Sequence, residues 1–120
     1  MKTLAVVEDN KDNRLLLQAF LGDRYAIVEY DNGPAALQGF QSARPDLVLL
    51  DISLPGMDGL EILKRIRSDD ALRGLPVVAL TAHAMTGDRE RFLAAGFNDY
   101  IAKPIVDETL LHATVERLLP

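Results

Sequence analysis

The sequence contains no cysteine. Disulfides, thiolate metal sites and cysteine nucleophiles are thereby excluded, and a reducing compartment fits the composition. Positive charge is also scarce. Thirteen Lys and Arg stand against 18 Asp and Glu, the net charge is −5 at pH 7, and no basic cluster compensates locally. That balance gives no electrostatic footprint for DNA or RNA, so no nucleic-acid partner is expected. Long apolar runs are missing as well. The stretch from Met1 to Asp9 is too short in its apolar part for a signal peptide or a membrane span, so a cytoplasmic protein without a membrane partner is expected. Repeats, low-complexity tracts and long linkers are lacking, and 120 residues suit one domain spanning residues 1–120.

What is present is the profile of a folded protein: 48% hydrophobic and 26% charged residues. Five short apolar runs recur, Thr3 to Val7, Tyr25 to Tyr30, Leu47 to Leu50, Val77 to Leu80 and Asp99 to Ala102. The first, third and fourth show little alternation, as in parallel strands covered on both faces. Segments with helical spacing separate the runs. Leu16, Leu17, Phe20 and Leu21 form one apolar stripe, Gly59, Ile62, Leu63 and Ile66 another, and Leu111, Val115 and Leu118 a third. Asn32-Gly33-Pro34 reads as a helix start, Asp107 as an N-cap before the last helix, and Gly22, Gly74 and Gly96 as helix stops. Five strand–helix units in so short a chain predict a doubly wound α/β domain with a five-stranded parallel sheet, because parallel neighbours need right-handed crossovers. The order 2-1-3-4-5 suits five strands best, and ligands then bind at the carboxyl ends of the strands, between strands 1 and 3.

Those ends carry chemistry. Strand 1 runs into Glu8-Asp9, strand 3 into Asp51, strand 4 into Thr81, and strand 5 into Lys103-Pro104. Each has an ordinary reading alone: Asp9 or Asn10 as a helix cap, Thr81 as a β-branched strand residue, Lys103 as a solvated loop residue. Together they place three acids, a hydroxyl and an amine on one sheet edge. Clustered carboxylates repel, and a hard divalent cation with oxygen ligands, magnesium above all, relieves them. With that charge offset, Asp51 can stay ionised as a nucleophile toward phosphorus while Thr81 donates to a phosphoryl oxygen.

The motifs Val7-Glu8-Asp9-Asn10, Leu50-Asp51-Ile52-Ser53-Leu54-Pro55-Gly56-Met57-Asp58-Gly59, Leu80-Thr81-Ala82 and Tyr100-Ile101-Ala102-Lys103-Pro104 resemble those of response-regulator receiver domains, the phosphoacceptor modules of two-component signalling. The likeness covers residues 3 to 119 and is closest in kind to single-domain receivers of the chemotaxis-regulator type. It implies the flavodoxin-like (βα)5 fold and a phosphoryl group accepted on Asp51 from a histidine kinase or a histidine phosphotransfer protein. It implies magnesium held by Asp9, Asp51 and the Ser53 backbone carbonyl, with Glu8 acting mostly through water, and a phosphoryl group gripped by Thr81 and Lys103. A cis peptide bond between Lys103 and Pro104 is implied too, and proline makes one tolerable. Where the family often has two aspartates, this chain has Glu8-Asp9. Ser53 and His83 occupy positions that tune how fast phosphate is lost, although His83 reads better as a half-exposed loop imidazole. His112 is expected at a surface or boundary position.

The resemblance further implies a switch in which Thr81 is drawn to the phosphoryl oxygens and Tyr100 turns into the space it leaves. The output would be a protein partner on the face of helix 4 (residues 88–95), strand 5 and helix 5, while helix 1 is the expected docking region for the donor. Such a module is not an enzyme beyond its own phosphoryl transfer and slow autodephosphorylation. Two alternatives stay open at this point. A haloacid-dehalogenase-like, magnesium-dependent phosphatase uses a similar residue set but wants a second Asp where Ser53 stands. An interaction module that works without phosphorylation would keep the fold alone.

Overall fold

The computed structural model describes residues 1–82 and 87–119, so His83 lies outside the described residues. Five strands and five helices alternate: β1 (Thr3–Val7), α1 (Lys11–Leu21), β2 (Ala26–Tyr30), α2 (Gly33–Ser42), β3 (Leu47–Asp51), α3 (Gly59–Ser68), β4 (Val77–Thr81), α4 (Asp88–Ala95), β5 (Asp99–Ala102) and α5 (Glu108–Leu118). All strand pairs are parallel and the order is β2-β1-β3-β4-β5. This is the doubly wound arrangement expected from the alternation of strand and helix patterns. Among the described residues, no helix is long and apolar enough to cross a membrane.

The weak alternation of three strands has a direct cause. Successive strand side chains point to opposite faces, so a strand covered on both sides must be apolar throughout. Ala5, Val7, Val48, Leu50, Val77 and Ala79 pack with Phe40, Ile62, Leu63, Ile66 and Phe92 of α2, α3 and α4. Their neighbours Leu4, Val6, Leu47, Leu49, Val78 and Leu80 pack with Leu17, Leu21, Leu111 and Val115 of α1 and α5. One sheet therefore feeds two cores, and β3 and β4 are buried along their whole length. The edge strands β2 and β5 are only partly covered. Within the helical stripes Leu17, Leu21, Leu111 and Val115 are buried, while Leu16, Phe20 and Leu118 pack half-buried around them.

Helix starts follow their side chains. Asn10, Asn32, Asp58 and Asp107 each accept a hydrogen bond from the backbone N–H three residues on, satisfying a donor that the first helical turn cannot pair internally. Gly22 and Gly96 stand at the ends of α1 and α4, and Gly96 has φ +116°, a conformation that favours glycine. Gly74 does not stop a helix. The third helix ends at Ser68 with Asp69 as its C-cap, and the Asp69 carboxylate takes the Ala71 N–H, so the chain has already turned away before Gly74 is reached.

The pole opposite the carboxyl ends of the strands is tied by Arg67. Its guanidinium donates to the carbonyls of Gly96, Arg73 and Leu75 and to Asn98 Oδ1. Asn98 Oδ1 in turn accepts the N–H of Val77 at the start of β4. One planar cation thus joins the end of α3, the turn into β4 and the C-terminus of α4, with a fork of donors that a lysine could not reproduce.

Candidate functional site: an acidic cluster at the carboxyl edge of the sheet

Parallel registry brings the strand ends level. Val7 pairs with Leu50, Asp51 with Leu80, and Thr81 with Ala102, so the residues that follow β1 and β5 and those that end β3 and β4 meet at one edge. Behind Asp51 the chain turns closely. Gly59, the first residue of α3, donates its N–H to the Ile52 carbonyl at 3.0 Å. A Cβ at Gly59 would stand 2.7 Å from both the Asp51 carbonyl oxygen and Ile52 Cα, so only glycine lets the helix sit this close to the strand end.

Glu8 is fully buried and Asp51 nearly so, whereas Asp9 is exposed. Glu8, Asp9 and Asp51 each offer a carboxylate oxygen, and these oxygens lie within 4.8 Å of one another. Lys103 Nζ sits 2.7 Å from Glu8 Oε1 and 3.2 Å from Asp51 Oδ2. The Lys103 main chain continues the β4 pairing through its N–H to the Thr81 carbonyl at 2.7 Å, and its peptide bond to Pro104 is cis. The Ser53 N–H donates to Asp51 Oδ1 at 3.0 Å. Thr81 is buried at the end of β4. Tyr100 lies half-buried on β5, its ring 5.7 Å from that of Phe92. His112 is half-buried on α5 with Nε2 3.4 Å from Glu108 Oε1, at the boundary its sequence position implies.

The electrostatics of the cluster differ from residue to residue. Burial pushes Glu8 up to about 7; a proton that Glu8 can give to Asp51 acts in the same direction, and Lys103 opposes both. Burial would also raise Asp51, but hydrogen bonds from Glu8 and the Ser53 amide, together with the Lys103 ammonium, outweigh it and hold the carboxyl below its ordinary value. Burial would lower Lys103, yet Glu8 and Asp51 prevail and raise it. Near neutral pH the site therefore presents an ionised Asp51 beside an ammonium, while Glu8, pushed up to about 7, changes protonation in the same range.

The donor set suits a hard cation. Among the described residues the clustered side-chain ligands are all carboxylate oxygens, and in the ionised form Glu8 Oε2 is buried with no hydrogen-bond partner among them. An ionised carboxylate can only accept, so a buried oxygen in this state is costly unless a cation or a proton meets it. When all three acids are ionised, Lys103 balances only one of them, and a divalent ion matches the remainder. No second carboxylate faces Asp51 from position 53, only the Ser53 amide, so a phosphatase's general acid has no counterpart there.

Two contacts at the site escape a reading of motifs. Asn13 Nδ2 donates to Glu8 Oε1 at 2.8 Å, and Arg14 donates to the Glu8 carbonyl at 2.9 Å while its Nε meets Glu29 at 3.1 Å. Both residues lie in the first turn of α1. The spacing from the Asn10 cap is the one signal that could have found Asn13, since the Asn10 side chain accepts the Asn13 N–H.

Known proteins agree with this geometry. The response regulator receiver domain model matches residues 4–116. The polar-differentiation response regulator DivK of Brucella anthropi is 44% identical over 105 residues, which are 87% of this chain and 85% of that protein. The sensor histidine kinase GacS of Pseudomonas protegens is 41% identical over 114 residues, 92% of this chain but only 12% of the kinase. Among solved structures, the receiver domain of the sensor histidine kinase PA1611 from Pseudomonas aeruginosa PAO1, with a magnesium ion coordinated in its active site cleft, superposes with a TM-score of 0.87 at 36% identity, covering 98% of this chain and 96% of that one. With its fold, its strand-end residues and these relatives in accord, the chain belongs to the response regulator receiver domain family.

Proposed function

We propose that Asp51 accepts a phosphoryl group from a phosphohistidine donor, with residues 1–120 acting as one receiver unit in the cytoplasm. The observation that carries this is Asp51 itself. It stands at the end of a fully buried strand, it is held ionised by Lys103 and the Ser53 amide, and it faces the other two acids of the cluster. An Asp51 oxygen attacks phosphorus in line, the P–O bond forms as the P–N bond breaks, and the donor imidazole leaves with its electron pair. Glu8, Asp9, Asp51 and the Ser53 backbone carbonyl would hold magnesium, the ion that the related kinase receiver carries in its cleft. That ion supplies charge neutralisation at the phosphoryl oxygens. Lys103 follows the developing charge with its ammonium, and the Thr81 hydroxyl donates to a phosphoryl oxygen. Donors are histidine kinases or histidine phosphotransfer proteins, docking near α1. Transfer is catalysed by the receiver's own residues, and the positions held by Ser53 and His83 tune how fast the phosphoryl group is then lost to water.

In the same reading the charge on Asp51 biases a two-state equilibrium through Thr81 and Tyr100. Phe92, against which Tyr100 packs, shares with Thr81 and Ser53 the lining of a cavity of about 380 Å³. Space therefore adjoins Thr81 directly and Tyr100 by way of the Phe92 ring. The output surface is the α4–β5–α5 face, where a downstream protein binds. The deciding experiment is labelling by acetyl phosphate and binding of beryllofluoride with magnesium. The wild type should gain an acid-stable, base-labile phosphoryl group and Asp51→Asn should not; undiminished labelling or binding in the variant refutes the assignment.

A further inference from the structure

The two oxygens of Glu8 have different surroundings. Oε1 accepts from Asn13 Nδ2 at 2.8 Å and from Lys103 Nζ at 2.7 Å, whereas Oε2 of the ionised group is buried without a hydrogen-bond partner among the described residues. One oxygen is tied to protein donors and the other is left for the cluster with Asp9 and Asp51. Of the two donors on Oε1, Lys103 is shared, because its Nζ also lies 3.2 Å from Asp51 Oδ2. An ammonium drawn to a phosphoryl group on Asp51 leaves Oε1 with the Asn13 amide as its remaining donor among the described contacts.

We propose that Asn13 is a positioning residue for the metal site: its amide holds Glu8 Oε1 so that Oε2 faces the cation, and it does so whether or not Lys103 is engaged elsewhere. The proposal rests on the reading of the acidic cluster as a magnesium site. Asn13 is itself well placed for the task. It is in the first turn of α1, its main-chain N–H is fixed by the Asn10 cap at 3.0 Å, and its neighbour Arg14 holds the Glu8 carbonyl at 2.9 Å. Both the side chain and the main chain of Glu8 are thus referenced to one helical turn. The reach matters, because glutamate carries one methylene more than aspartate and needs a lateral restraint to select one rotamer for the metal.

The test is a double-mutant cycle on magnesium affinity of the unphosphorylated protein, read by NMR titration or calorimetry with magnesium alone at a pH where Glu8 is ionised. Asn13→Ala is expected to weaken binding about tenfold in the Glu8 background, as outer-shell partners of metal ligands do. In the Glu8→Asp background, where the carboxylate stops short of the amide, the same change is expected to cost less than about twofold. Melting in the absence of metal separates a folding defect from lost positioning, and alanine is well tolerated in a helix. Equal magnesium affinity in wild type and Asn13→Ala, or the same loss in both backgrounds, overturns the proposal. A wild type that binds no magnesium overturns the metal site beneath it, a different outcome read in the same experiment.

Discussion

The raised titration of Glu8 makes a quantitative forecast about magnesium. The carboxyl is fully buried, is pushed up to about 7, and must be ionised to serve a cation. Below that value, binding has to displace a proton, so affinity should climb about tenfold per pH unit, about 1.4 kcal/mol, and level off above about pH 7. Asp51 lies below its ordinary value and contributes no slope in that range. Calorimetry in buffers of different ionisation enthalpy should count close to one proton released per ion at about pH 6 and almost none at about pH 8. Glu8→Gln should bind more weakly at high pH and lose the slope, which also controls for the two histidines. The sign for the metal-free fold is the reverse. The folded value of Glu8 lies above the ordinary 4.5, so the native state holds the proton more tightly, and stability from this group falls as pH rises from about 4.5 to about 7, by roughly 3 kcal/mol at most. Magnesium affinity that stays constant between about pH 5 and about pH 8, or an equally steep slope in Glu8→Gln, would falsify the reasoning.

Two further expectations bear on the scaffold and the switch. Gly59→Ala sets a methyl against the backbone of Asp51 and Ile52 at 2.7 Å; backbone cannot yield as a side chain does, so the variant should lose about 1–3 kcal/mol, seen as a lower Tm by circular dichroism, and an unchanged Tm would count against the close packing. Because Tyr100 packs on Phe92 beside the cavity that Thr81 lines, beryllofluoride with magnesium should shift the Tyr100 ring resonances, and identical NMR spectra with and without it would sink the proposed coupling.

Much of the fold is legible because its causes are local. Thr3–Val7 and Asp99–Ala102 are strands over the residues that their patterns mark, and the other three strands differ by one residue at an end. The alternation of strand and helix periods leaves few topologies, and a parallel sheet of five strands has a preferred order. Asn10, Asn32 and Asp107 cap helices because capping is settled by one side chain and the next turn of backbone. Gly74 misleads for the same reason turned around: glycine permits a helix stop without requiring one, and the bonds of Asp69 end α3 first.

At the site, residue types and strand ends were readable, since a polar group directly after an apolar run must emerge at the sheet edge. Relations among side chains were not. Nothing in the sequence ties the Asn13 amide to Glu8 Oε1, and Lys103 does not disclose in sequence that it divides itself between two carboxylates. Arg67 reads as a solvated charge in a helix, yet it joins three parts of the chain at the far pole. The sequence by itself determined the class of fold, the sheet edge that carries the chemistry and the acids, hydroxyl and amine that stand there. Only the tertiary structure decided which Glu8 oxygen is tied and which is left buried without a partner among the described residues, which acids titrate apart, and which amide meets Glu8. These depend on distances of a few ångströms between residues far apart in sequence, and on burial that changes the cost of charge, neither of which a local pattern encodes.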